Sequence, residues 1–339
     1  MMRLTDEELH KILCHYGIES FDHIEEIDSS HGEDDLRYNY IIDKKYVLRV
    51  NSVNVMDHRR IADLNVLIQR YRDFGVKAPL FILNDEGNYL IKWKGYHCYL
   101  SEYLDYKTAE DMTGPAKMKL ISERLIFISK FAEKYQNVPL TEIMSMYSLF
   151  DLSPYDQMVG IDEKQQNLND LIQHLERLGE NKLIQELKNV NHELRKQLLS
   201  FYKELPYCVF QGDENFSNLC IDEKNHIIGL FDFNMSGKEV IANYLANLAC
   251  LNNLDGSEEA FVDKSVEEIL VNIFSAYREN TKLIEKYYSF SPKEKEAYKL
   301  YSKIVMLSGY ANVSAYVEYL GNHPKKIVQL LTYLVNASL

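Results

Sequence analysis

The sequence is poor in cysteine and proline, and it lacks long apolar runs. Its 339 residues include five cysteines and seven prolines. The cysteines are scattered and never form a CxxC pair, so neither a disulfide framework nor a zinc site is indicated. No stretch reaches about 18 uninterrupted apolar residues, and no apolar run follows a basic N-terminus as in a secretory signal. We therefore expect a cytoplasmic protein without a membrane partner.

Positive charge is also scarce. The chain has 38 Lys and Arg residues against 51 Asp and Glu residues, which gives a formal net charge of −13. Nucleic-acid binding depends on neutralising phosphates with Lys and Arg, so this balance argues against nucleic acid as a partner. The same acidity would suit a cationic small molecule, although net charge of this sign also keeps proteins soluble.

The first hundred residues combine strand periodicity with helical stretches. Thr5 and Glu8 have capping-box spacing and predict a first helix. The stretch LRYNYIIDKKYVLRV alternates as a β-hairpin does, and the helical stretch MDHRRIADLNVLIQRYRDFG follows it. Three more strand-like stretches come next, namely KAPLFIL, GNYLIKW and YHCYLSEYL. This order predicts a mainly antiparallel sheet with one inserted helix.

From about residue 108 the periodicity is helical, apart from an island of short strand-like runs between 207 and 233. A chain of 339 residues is longer than most single domains, which favours two lobes over one core. We therefore predict an α+β protein with a β-rich lobe at 1–101, a connecting segment at 102–107 and a mostly helical lobe at 108–339. With no heptad run, monomer is the default.

Three oxygen-bearing side chains stand out in the island. Asp213 follows the run YCVF, Asn218 opens the run NLCI, and Asp232 follows IIGLF. Mg²⁺ is commonly held by one or two protein oxygens together with nucleotide phosphates, a role that suits Asn218 and Asp232. Asp213 could then orient or deprotonate a hydroxyl group, which indicates a phosphoryl-transfer site. Plain turn chemistry is the alternative, since Asn and Asp commonly form turns after strands.

The segments QGDENFSNL and GLFDFNMSG resemble the HGDxxxxN and IDF signatures of the aminoglycoside phosphotransferase and choline kinase family, which is related to the protein kinases. The resemblance covers nearly the whole chain. It implies a two-lobed protein kinase-like fold, with a small antiparallel β-sheet lobe containing one inserted helix and a larger, mostly helical lobe. It also implies transfer of the γ-phosphate of MgATP or GTP to a small-molecule hydroxyl, with Asp213 as the base and Asn218 and Asp232 as Mg²⁺ ligands.

The resemblance also implies the nucleotide-binding residues. YVLRV is similar to the family strand that carries a basic residue for the phosphates, which places Arg49 there. The acid that would orient Arg49 is Asp63, with Asn65 as the alternative. YLSEYLDYKTAED resembles the hinge, whose backbone would meet the nucleotide base at Ser101, Glu102, Tyr103 and Leu104.

Some positions depart from the family pattern. Gln211 replaces the family histidine, and Asn234 stands where many relatives have Gly or Asp. The phosphate-covering turn SSHGEDDLRY has one glycine, Gly32, and three acids that would repel phosphate unless they point away. These departures motivate the hypothesis of a catalytically impaired nucleotide-binding protein.

In this family the middle region and the last helices form the walls of the acceptor pocket. Here the segment 142–176 is acidic and has a single cation, Lys164, which favours an amino-sugar such as an aminoglycoside, or an amino-alcohol. A solvated acidic face is the alternative interpretation. A housekeeping kinase for choline, ethanolamine, homoserine or a sugar fits equally well. The acids of the segment that we single out are Asp151, Asp156, Asp162, Glu163 and Asp170.

Overall fold

The computed structural model describes residues 4–30, 32, 34–52, 56–140, 162–250 and 258–339, with only the backbone at 258–260. The chain forms two compact units by its internal contacts. The first comprises 1–113, 140–143 and 213–234, and the second comprises 114–139, 144–212 and 235–339. The lobe boundaries predicted above divide the chain differently and stay a prediction.

The first unit contains an antiparallel sheet in the order β1-β2-β3-β6-β4, with β5 paired to β6. The predicted hairpin is confirmed as the β2–β3 pair. The first strand was not predicted, because only one of its residues is even partly buried and its side chains give no apolar alternation. The strands are β1 Ile24–Asp28, β2 Arg37–Ile42, β3 Tyr46–Asn51, β4 Phe81–Ile82, β5 Leu90–Trp93 and β6 Tyr96–Glu102.

Two helices belong to the same unit, α1 Asp6–Cys14 and α2 His58–Asp73. The capping box predicted at the start of α1 is confirmed. Buried residues of α1 form one apolar cluster with alternate residues of β3 and β6, among them Leu48 and Leu100. Because successive side chains of a strand point to opposite faces, this cluster leaves Arg49 on the other face of the sheet.

The first run of the island, YCVF at 207–210, pairs with residues 237–240 in a two-stranded sheet of the second unit. The later runs belong to a second, smaller sheet of the first unit. Its order is β10-β9-β7, and both pairs are antiparallel. The strands are β7 Lys107–Thr108, β9 Leu219–Ile221 and β10 Ile227–Leu230. This sheet positions the loop before β9 and the segment after β10, where the predicted site residues lie.

Helices dominate the second unit. Residues of α4, α5, α8, α10 and α11 share one large apolar core cluster. Within the described ranges, no helix is both long and apolar enough to cross a bilayer. The elements are α3 Gly114–Tyr135, α4 Glu163–Leu178, α5 Asn181–Leu199, a 3₁₀ turn Tyr202–Glu204, β8 Tyr207–Phe210, β11 Gly237–Val240, α6 Ile241–Ala249, α7 Glu258–Asp263, α8 Val266–Tyr287, α9 Pro292–Ser308, α10 Tyr310–Asn322 and α11 Pro324–Asn336.

The helical periodicity predicted from about residue 108 continues through 292–320 without a break, and the structure divides this part into α9 and α10 at Gly309. This residue leaves the helical region, with φ −64° and ψ 142°. A Cβ at this position would lie 2.7 Å from the carbonyl oxygen of Val305. The break therefore depends on the missing side chain, which periodicity alone does not reveal.

Candidate active site

The loop that follows β8 begins with a tight turn at Gly212. β8 and β11 pair with Phe210 opposite Gly237, so Gly212 lies opposite Met235 just beyond the paired ends. Gly212 has φ +91°, and a Cβ would collide with the carbonyl oxygen of Met235 and lie 2.9 Å from its carbonyl carbon. Only glycine fits here without strain, and its turn delivers Asp213.

Both carboxylate oxygens of Asp213 are held by asparagines of the same loop. Nδ2 of Asn215 donates to Oδ1 at 2.9 Å, and Nδ2 of Asn218 donates to Oδ2 at 3.0 Å. Oδ1 of Asn215 in turn accepts the N–H of Asn218 at 3.1 Å and the hydroxyl of Ser217. Sequence reasoning missed Asn215 and Ser217, although closely spaced Asn and Ser residues are a known signal for such side-chain turns.

The electrostatics of this loop favour a proton acceptor at Asp213. Burial, the largest cause, raises the pKa of the Asp213 carboxyl, and the charge of Asp232 raises it further. The hydrogen bonds from Asn215 and Asn218 oppose this shift. A carboxylate with a raised pKa is a stronger base than an exposed aspartate, which is the property that general base catalysis requires.

Pairing of β9 with β10 brings Asn218 next to the segment that contains Asp232. The N–H of Phe231 donates to the carbonyl oxygen of Asn218 at 3.1 Å. Asp232 follows with φ +57°, a left-handed backbone conformation that is uncommon outside glycine. The hydrogen bonds that the Asn218 side chain makes within the described part of the chain use its nitrogen, so its amide oxygen is the atom suited to bind a cation.

These groups fit a hard divalent cation. Mg²⁺ prefers carboxylate and carbonyl oxygens, and Asp232 and Asn218 present one of each. The effect of Asp232 on the pKa of Asp213 shows that two carboxylates act on the same region, and a bound cation would offset their repulsion. The structure thus brings the three predicted residues together, while their roles as ligands and base stay predictions.

Arg49 lies on β3, and a neighbouring strand holds its guanidinium. Nη1 of Arg49 donates to Oγ of Ser101 on β6 at 2.9 Å. The strand register places Arg49 opposite Tyr99 and Val47 opposite Ser101, so these four side chains share one face. Ser101 is 1% exposed, which makes it a fixed support for Arg49.

Tyr99 was missed by sequence reasoning. Its ring is fully buried, and burial raises the pKa of its hydroxyl, with Arg49 lowering it and Asp232 raising it. The hydroxyl accepts a hydrogen bond from Nδ2 of Asn51 at 3.1 Å. Tyr99 therefore lies within reach of the charges of both Arg49 and Asp232. Only the fold reveals this, because the sequence presents Tyr99 as one more core aromatic.

The acid predicted to orient Arg49 is not seen in contact with it in the described part of the chain. Asp63 and Asn65 both lie on α2, and Asn65 exchanges two hydrogen bonds with the backbone of Phe81, at 2.8 and 2.9 Å. Among the described residues, no ion pair joins Arg49 to Asp63. A nucleotide-binding role for Asp63 thus stays a prediction.

At the predicted hinge, the side chain of Glu102 works as an anchor. Its carboxylate accepts the N–H of Leu80 at 3.0 Å and pairs with the guanidinium of Arg72 on α2. The side chain is thus committed to the sheet and to α2. The predicted contact with the nucleotide base can involve only the backbone of Glu102.

The predicted hinge offers two backbone groups that a nucleotide base could contact, the carbonyl oxygen of Glu102 and the N–H of Leu104. The N–H of Tyr103 is occupied, because it donates to the carbonyl oxygen of Lys45 at 2.8 Å. Leu80 bonds the carboxylate of Glu102 rather than its carbonyl oxygen. Within the described part of the chain, the N–H of Leu104 donates to no protein acceptor. A carbonyl acceptor and an N–H donor therefore lie two residues apart.

One acid of the phosphate-covering turn is neutralised locally. The carboxylate of Asp35 accepts two hydrogen bonds from the guanidinium of Arg37, at 2.7 and 2.9 Å. This pairing offsets one of the negative charges that were expected to repel phosphate. Of the other residues of the turn, Gly32 has φ +127°, and His31 and Glu33 lie outside the described residues.

The acids expected in the acceptor pocket are only partly described. Asp162 caps α4 and makes two contacts with the guanidinium of Arg195, at 2.8 and 3.3 Å, so its charge is already paired. Burial raises the pKa of Glu163 to about 7. Asp151 and Asp156 lie outside the described residues. Attraction of a cationic acceptor by this segment stays a prediction.

Comparisons with known proteins identify the family and the fold. A family model described as the phosphotransferase enzyme family matches residues 28–278, a range that includes Arg49, Asp213, Asn218 and Asp232. No curated protein sequence matches the chain.

Solved structures share the fold at low sequence identity. An amicoumacin kinase in complex with AMP-PNP, Ca²⁺ and Ami has a TM-score of 0.56 at 10% identity, covering 98% of this chain and 94% of that chain. A spectinomycin phosphotransferase in complex with ADP and spectinomycin has a TM-score of 0.50 at 11% identity, covering 98% and 99%. The predicted α+β, kinase-like fold is thereby confirmed.

Proposed function

Since this chain belongs to the phosphotransferase enzyme family, we propose that it transfers the γ-phosphoryl group of MgATP to a hydroxyl group of a small molecule. The observation that carries the proposal is the grouping of Asp213, Asn218 and Asp232, which places a carboxylate of raised pKa beside two oxygen donors. Phosphoryl transfer needs little more from a protein than positioning and charge stabilisation.

Each residue has a defined task in this proposal. Asp213 accepts the proton of the acceptor hydroxyl, and Asn215 and Asn218 hold its two oxygens in place. Asn218 and Asp232 would hold Mg²⁺, which when bound supplies positive charge to the phosphate oxygens. Arg49, supported by Ser101, directs its remaining N–H groups toward the phosphates.

The hinge favours adenine over guanine. The carbonyl of Glu102 and the N–H of Leu104 offer an acceptor and a donor, which complement the amino group and ring nitrogen along one edge of adenine. Guanine presents an oxygen and an N–H at the corresponding positions, so its oxygen would face the carbonyl oxygen of Glu102 and its N–H would face the N–H of Leu104. We therefore propose ATP as the preferred donor.

We propose an acceptor that carries both hydroxyl and amino groups, of the aminoglycoside or amino-alcohol class. The net charge of −13 favours cationic ligands over anionic ones. The two similar structures are named for kinases of spectinomycin and amicoumacin, which supports a small-molecule acceptor.

The test is ADP formation from MgATP over a panel of hydroxyl acceptors, with the parent chain and with Asp213→Asn and Asp232→Asn. Each substitution should lower turnover by at least about a hundredfold, the scale of a lost general base or phosphate-stabilising group. Asp222→Asn is a matched control, because Asp222 lies in the β9–β10 turn, where its carboxylate accepts the neighbouring N–H groups of Lys224 and His226.

Two outcomes would contradict the proposal. Undiminished turnover in Asp213→Asn would exclude this residue as the base. Nucleotide binding without turnover across the whole panel would favour the hypothesis of a catalytically impaired nucleotide-binding protein.

A further inference from the structure

The segment around Asp232 is held in an unusual conformation from several sides. Asp232 has φ +57°, which L-residues adopt only with strain unless the surroundings impose it. On its N-terminal side, the N–H of Leu230 donates to the carbonyl oxygen of Lys77 at 2.8 Å, and that of Phe231 donates to Asn218. These bonds fix the chain up to Asp232, and on the C-terminal side the N–H of Asn234 donates to Oδ1 of Asp232 at 3.4 Å.

Helix α2 adds two further contacts on the C-terminal side. Nη2 of Arg60 donates to the carbonyl oxygen of Asn234 at 3.1 Å. The ring of Tyr71, about three turns further along the helix, meets the ring of Phe233 edge to face, with centroids 5.5 Å apart at 79°. The two residues that follow Asp232 are therefore both in contact with α2.

Arg60 is an unusual choice for a purely structural contact. Its side chain belongs to a residue only 8% exposed, and burying a guanidinium is costly unless strong hydrogen bonds compensate. An apolar side chain of similar length would fill the space at lower cost. A charged donor instead forms the stronger type of hydrogen bond with the backbone acceptor that it reaches.

Helix α2 is itself well anchored, so it can serve as a fixed reference. Asp57 caps its first turn by accepting the N–H of Arg60 at 2.7 Å. Asn65 bonds both backbone polar groups of Phe81, and Arg72 pairs with Glu102 at the hinge. These contacts run along the whole helix.

From this arrangement we propose that Arg60 is a positioning residue that holds Asp232 in its metal-binding conformation by fixing the Asn234 carbonyl to α2. The inference rests on the proposed function, since it presumes that Asp232 binds Mg²⁺. The task proposed here for α2 differs from the one expected from the sequence, which was to supply the acid that orients Arg49.

The experiment measures ADP affinity by calorimetry, with and without Mg²⁺, for the parent chain, Arg60→Met, Arg60→Lys and Arg59→Met. Arg60→Met should leave the metal-free ADP affinity within about twofold of the parent and reduce the gain in affinity on adding Mg²⁺ by at least about tenfold, the scale of a lost charge-assisted hydrogen bond. Arg60→Lys retains a charged donor and should fall between the two. Arg59 is exposed on the same helix, so Arg59→Met should match the parent.

A merely structural role would lower both affinities together, and a full Mg²⁺ gain in Arg60→Met would equally overturn the positioning role. If Arg60→Met does not fold, Arg60→Lys decides: an undiminished Mg²⁺ gain contradicts the proposal, and a selective reduction of that gain supports it. If the ADP affinity of the parent chain is the same with and without Mg²⁺, the proposed function itself is contradicted. That result differs visibly from a failure confined to Arg60.

Discussion

Replacing Gly212 by alanine tests whether the loop geometry matters for catalysis. The new Cβ would collide with the carbonyl oxygen of Met235, and relief requires a backbone shift of about 1 Å to restore normal contact distances. Holding an L-residue at φ +91° costs about 1 to 3 kcal/mol, and forcing apart packed backbone costs about 1 to 3 kcal/mol more. We expect Gly212→Ala to lose about 2 to 6 kcal/mol of unfolding free energy.

Activity should fall further than stability suggests. Asp213 is the next residue, and a misplacement of about 1 Å in a catalytic group costs on the order of a hundredfold in rate. The assays are urea denaturation for the free energy of unfolding and turnover at saturating MgATP under conditions where the variant is folded.

Gly321→Ala is the matched control for this substitution. Gly321 lies in α10, and a Cβ there meets nothing within 4 Å. Alanine in a helix is favoured over glycine by up to about 1 kcal/mol, so this variant should be as active as the parent and at least as stable. If Gly212→Ala behaves like Gly321→Ala in both assays, the steric argument is wrong.

Two further predictions concern titratable groups. Cys14 is the exposed cysteine, whereas burial raises the pKa of Cys98, Cys220 and Cys250 to about 12. A thiol reagent should therefore modify one fast-reacting group in the native chain and none in Cys14→Ser. A second fast-reacting thiol would contradict this prediction. Burial raises the pKa of Glu163 from 4.5 to about 7, so the folded chain binds this proton more tightly and the resulting stabilisation, complete below pH 4.5, is lost as the pH rises through about 7. Glu163→Gln should flatten the unfolding free energy across that window in urea denaturation, and an unchanged slope would refute the assignment.

Local sequence patterns predicted the elements with strong periodicity. The hairpin β2–β3 and the capping box of α1 follow from alternation and from fixed spacing, which depend on near neighbours alone. Helix α6 lies within the region predicted to be helical, although the sequence did not mark it as a separate helix, and eight of its nine residues are buried. Strand β11 was missed because its partner, β8, lies far away in the sequence.

The candidate site also contains residues that local sequence patterns predict and residues that only the three-dimensional packing reveals. Asp213, Asn218 and Asp232 could be proposed from their places at strand ends, because strand ends determine where a following residue lies. Tyr99 could not, since its nearness to the charges of Arg49 and Asp232 arises from the packing of separate strands. The hinge at 102–107 stays a prediction, and the ion pair between the Glu102 side chain and Arg72 appears only in three dimensions.

The absence of an acid partner for Arg49 among the described residues does not by itself argue for impaired catalysis. A guanidinium has five N–H donors in a planar fork, so one bond to Ser101 can orient it and leave other donors for phosphate. A neutral hydroxyl also leaves the positive charge uncompensated, whereas a carboxylate would offset part of it. Ser101 on β6 can thus orient Arg49 without an acid from α2. The contacts of α2 are instead made by Arg72 to Glu102 and by Arg60 to the carbonyl oxygen of Asn234.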